Sequence, residues 1–137
     1  MDAVTAVAAL RADYGPEEQQ GAAVYGDVLD ALAAADLHPY IETRGGLAVC
    51  ALAEDGTVFV VASNGPLPWS RSPLPGWHVS HAPEDEARPP WRCLVLDTLP
   101  ADVCCEPPGT LDLALVTEAV RAHAAICPNM PPKARAW

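Results

Sequence analysis

The residues of this 137-residue chain whose types and spacing point to chemistry are chiefly its four histidines and five cysteines, most of which fall in the second half. His78 and His81 are spaced His-x2-His, and Cys104 and Cys105 sit in a turn-rich segment. His123 and Cys127, four apart, would share one face of a helix. Imidazole nitrogens and thiolates are the donors zinc prefers, so this set is a candidate zinc site. Against it, no Cys-x2-Cys knuckle is present and adjacent cysteines seldom both ligate one ion. If 77–81 is a strand, His78 and His81 also point to opposite faces. A thiol hydrolase would use Cys104 or Cys105 with a histidine from elsewhere and a carboxylate such as Asp102, but nothing in the spacing fixes that geometry.

The plainer reading treats these groups as surface histidines, a packed helix histidine and reduced thiols. Cys50 and Cys93 lie inside expected strands, where a buried thiol acts as a small hydrophobe. An odd cysteine count with no secretory signal argues against a disulfide framework. The sequence therefore assigns no catalytic, cofactor-binding or metal residue. A small zinc-binding or thiol-dependent enzyme built on these histidines and cysteines stands as the alternative.

No cofactor is expected either. Neither G-x-x-x-x-G-K nor G-x-G-x-x-G occurs, and Gly45-Gly46 joins two expected strands and does not open a helix. A formal charge of −10 with a single lysine disfavours nucleic acid, because counterion release needs clustered cations. The carboxylates are scattered apart from Glu84-Asp85-Glu86, unlike the dense rows a DNA mimic needs.

The elements that must position these groups centre on residues 46–65, the longest near-continuous apolar run. Asp55-Gly56 suits a two-residue type I′ turn, which pairs Leu52 with Phe59 and Cys50 with Val61. A second turn at Gly45-Gly46 sets Ile41 opposite Cys50 and extends the hairpin to a meander. Ile41, Cys50, Leu52, Phe59 and Val61 then form the core face. Helices are expected over 2–13, from Pro16 to just before His38-Pro39, and from about Thr110, a good N-cap, with Asp112 in its first turn. A brief strand is expected at 77–81 and a firmer one at 91–96. The element order predicts a two-layer α+β fold. Its antiparallel sheet has four to five strands, the meander 40–63 plus strand 91–96, packed with N-terminal and C-terminal helices. Residues 1–127 form one domain in this reading, and 128–137 a mobile proline-rich tail.

Between the strands, Pro66-Leu67-Pro68-Trp69 is echoed by Pro73-Leu74-Pro75-Gly76-Trp77, with Arg71 in the middle. Aromatic and arginine anchors of this type are enriched at interface hot spots, so Pro66, Pro68, Trp69, Arg71, Pro73, Pro75 and Trp77 are the candidate interface. The competing reading folds the tryptophans into the core. The expected function is that of a small acidic protein-binding domain without catalysis, in an accessory, adaptor, immunity-like or chaperone-like role. Its partner is an unknown protein or a second copy of the chain, and neither nucleic acid nor membrane. Composition rich in alanine, proline, arginine and valine suits a GC-rich bacterial genome. With no membrane span or targeting segment in view, a cytoplasmic location is the default.

Overall fold

A computed structural model describes residues 2–63, 65–71, 74–83, 91–99 and 112–127. The opening helix α1 (Ala3–Ala12) begins where the Asp2 carboxylate accepts the Thr5 amide at 2.8 Å. Helix α2 (Pro16–Val24) starts on proline, and the Glu18 side chain reaches back to the Gly15 amide at 2.7 Å. The single helix expected after Pro16 is divided. Tyr25 leaves helical geometry at φ −113° and ψ 28°, and α3 (Gly26–Ala34) follows. Tyr25 is fully buried and its hydroxyl donates to the Pro68 carbonyl at 2.6 Å, so the break positions a core side chain.

Five strands follow: β1 (His38–Glu42), β2 (Ala48–Leu52), β3 (Thr57–Ala62), β4 (His78–Pro83) and β5 (Cys93–Asp97). They form one antiparallel meander in chain order, and α4 (Leu113–Ile126) closes the described fold. The protein is a two-layer α+β fold. Asp112, and not Thr110, caps α4, its carboxylate accepting the Ala114 amide at 3.0 Å; Thr110 lies outside the described residues.

The hairpin register differs by one residue from the expected one. Leu52 pairs with Val58, Ala51 with Phe59 and Val49 with Val61, while Ile41 pairs with Val49. The cause is the turn. Ala53 donates to the Thr57 carbonyl and Gly56, at φ +85°, donates to the Ala53 carbonyl, so three residues and not two make the loop. An odd loop length turns β2 over, which sends Cys50 to the second face and brings Val49 and Ala51 to the first. The main core is Ile41, Val49, Ala51, Phe59, Val61 and Val79 from the sheet, Tyr25, Val28 and Leu32 from the α2–α3 segment, and Val116 and Val120 from α4. Helix α1 lies against the opposite face, where Val7 meets Tyr40, Cys50 and Val58. The segment between β3 and β4 sends Leu67, Leu74 and Trp77 into the main core.

Candidate metal centre

Two of the singled-out groups converge for a reason the backbone supplies directly. His123 and Cys127 are one helical turn apart at the end of α4, so both reach the same side. That end of α4 lies over the β4–β5 edge of the sheet. There His81 and Cys93 are cross-strand partners and share a face. A β-bulge between Val79 and Ser80 shifts the register by one and sets Cys93, in place of Leu94, across from His81.

One donor atom from each of His81, Cys93, His123 and Cys127 lies within 4.8 Å of every other. The separations are 3.2 Å from His123 Nε2 to His81 Nδ1, 3.6 Å from Cys127 Sγ to His81 Nδ1, and 3.8 Å between the two sulfurs. A tetrahedral zinc with Zn–S of ≈ 2.3 Å and Zn–N of ≈ 2.0–2.1 Å requires edges of about 3.3, 3.5 and 3.8 Å for those pairs. These three edges match those of a zinc tetrahedron, and the remaining pairs lie within 4.8 Å.

The surroundings suit that use. His81 is 1 % exposed and its ring stacks on Phe59 at 4.2 Å, with the Trp91 and His123 rings edge-on to it. Burial, and then the neighbouring His123, push the His81 pKa down to about 4. Burial also lowers that of His123. Both rings are thus neutral near pH 7, the state in which imidazole binds a metal. His81 Nε2, on the far side from the cluster, lies 2.7 Å from Thr57 Oγ1.

The other described candidates lie elsewhere. His78, half-exposed at the start of β4, faces Asp97 at 3.9 Å and is not in the cluster. Cys104, Cys105 and Asp102 fall outside the described residues, as does Pro73. Cys50 sits in the smaller core on the opposite face. Cys93, read from sequence as a strand hydrophobe, is the member of the cluster that reading missed. The pairing of β4 with β5 would have flagged it, but the bulge and the nine residues from 84 to 92 hide that register. In the Pro/Trp segment Trp77 is fully buried. The Arg71 guanidinium lies over both the Tyr25 and Trp77 rings and pairs with Asp27 at 2.6 Å. Trp69 alone of this segment's described aromatics stays exposed, at 41 %.

No protein-family model matches the chain, and no curated protein or solved structure is significantly similar to it. Among the described residues no helix is long and apolar enough to cross a membrane.

Proposed function

We propose that this chain is a zinc-binding α+β domain whose Cys2His2 centre is structural and whose role is association, not catalysis. The observation that carries the reading is the convergence of four soft and borderline donors to within 4.8 Å of one another, with three separations at zinc-tetrahedron values. Four protein ligands fill the coordination shell of zinc. A hydrolytic zinc keeps one position for water, so this donor set fits a structural centre. The alternative singled out in the sequence, a metal site in the C-terminal half, is thereby favoured in part, with Cys93 joining His81, His123 and Cys127 and with His78 outside the cluster. Its enzymatic version is not.

Cobalt(II) titration of the metal-free, reduced protein tests this. Saturation at one ion per chain, with thiolate charge-transfer bands and the intense visible bands of tetrahedral cobalt, is the expected result, and zinc should abolish both. A weak octahedral spectrum would rule the centre out.

The associating surface is a second, separate part of the reading. Trp69 is a large aromatic left in water beside Glu17, Gln20, Thr43 and Leu47, the arrangement of an interface anchor. The anchor role narrows to Trp69, because Trp77 and Arg71 are committed to the fold. Replacing Trp69 by alanine should abolish any self-association or partner binding and leave metal content unchanged.

A further inference from the structure

Resting on the zinc reading, we infer that the surface turn between β2 and β3 sets how tightly the metal is held, through a hydrogen-bond relay from Asp55 to Thr57 to His81. The argument is one of proton accounting. The Thr57 hydroxyl has a single proton, and it stands 2.5 Å from Asp55 Oδ1 and 2.7 Å from His81 Nε2. An ionised carboxylate only accepts, so the hydroxyl donates to Asp55. Thr57 Oγ1 must then accept from His81, which places the imidazole proton on Nε2. Nδ1 is left as a bare lone pair, and Nδ1 is the atom that faces His123 Nε2 and Cys127 Sγ.

The relay is built into the fold. Thr57 is 1 % exposed, and its amide also donates to Asp55 Oδ1 at 3.0 Å. The same aspartate therefore shapes the turn and orients the hydroxyl. The three-residue loop is what places Asp55 there, since Gly56 takes the positive φ that the turn requires. Phe59, two residues on in β3, stacks against the ring and holds its plane. One strand thus supplies both the plane and the tautomer of a ligand on its neighbour. An acceptor on the far nitrogen of a metal-bound histidine raises its donor strength and fixes its orientation, and loss of such a partner typically costs 10–100-fold in affinity. Thr57 and Asp55 are positioning residues in this scheme, because neither reaches the cluster.

The test is zinc affinity of the full chain by competition with a chromophoric chelator, for wild type, Thr57→Val and Thr57→Ser. Valine keeps the β-branched shape and removes the hydroxyl; serine keeps the hydroxyl. Thr57→Val should bind zinc about 10- to 100-fold more weakly, and Thr57→Ser should restore wild-type affinity. Long-range proton–nitrogen NMR of the zinc-loaded wild type should show His81 protonated at Nε2. In Asp55→Ala, which removes the turn contact to the Thr57 amide along with the relay's acceptor, the affinity should fall in the same direction. Wild-type affinity in a folded Thr57→Val protein would overturn the relay and leave the zinc centre standing, as would a Thr57→Ser loss equal to that of valine. Absence of zinc binding by the wild type would overturn both.

Discussion

Three cysteines of the described fold carry the same thiol in different surroundings, and the surroundings decide what each can do. Cys50 is enclosed by Val7, Tyr40 and Val58, whereas Cys93 and Cys127 stand 3.8 Å apart with two imidazoles beside them. Cys93→Ser and Cys127→Ser should each abolish stoichiometric zinc, read by metal analysis after gel filtration. His78→Ala should retain it, because that ring faces Asp97 outside the cluster. Legibility at this scale follows from what fixes the geometry. His123 and Cys127 could be paired from sequence because helical spacing is set by the backbone. The third member, His81, was singled out only alongside His78, whose spacing misled. Cys93 was invisible as a ligand because its partner is chosen by a bulge. A tryptophan is similarly ambiguous in sequence. Trp77→Ala should cost about 3–5 kcal/mol, as for other large buried aromatics, and Trp69→Ala no more than about 0.5 kcal/mol. Chemical denaturation separates the two.

At the scale of elements, the strands followed from alternation and the antiparallel meander from the lack of helical crossovers between strands. The break between α2 and α3 at Tyr25 and the Asp112 cap of α4 did not follow from the sequence. Register did not follow, because Asp55-Gly56 is compatible with either a two- or a three-residue loop and the choice turns a strand over. The structure's preference has a physical source, the Asp55 carboxylate accepting both the amide and the hydroxyl of Thr57. Helix α4 is held at its middle by Val116 and Val120, both fully buried. Thr117 donates to the Ala31 carbonyl at 3.0 Å and Arg121 to that of Ala34, and the His/Cys cluster lies at the C-terminal end. If the proposed ion binds there, the C-terminal turn should depend on it more than the middle does. Chelation should raise amide hydrogen exchange first in the last turn of α4 and in β5, while β1–β3 stay protected. Uniform deprotection of the sheet and helix together would contradict that order.

For the whole molecule, the described fold is a five-stranded sheet with one main core, and the proposed zinc centre would tie α4 to β4 and β5. Binding to the native state alone adds stability by mass action, so thermal unfolding should shift upward with added zinc and downward with chelator. Structural zinc in small finger peptides is worth about 10–16 kcal/mol; here an existing hydrophobic core makes the metal a contributor and not the sole support. The fold class was readable because burial periodicity is a property of long stretches. The His/Cys cluster was not, because its four members come from elements whose relative placement only the assembled fold defines. Native mass spectrometry of the full chain, purified under reducing conditions without chelator or affinity metal, tests the central claim most directly. A mass increment of one zinc per chain, lost in Cys127→Ser, is the predicted result; a metal-free wild-type chain that stays metal-free after incubation with zinc would contradict it.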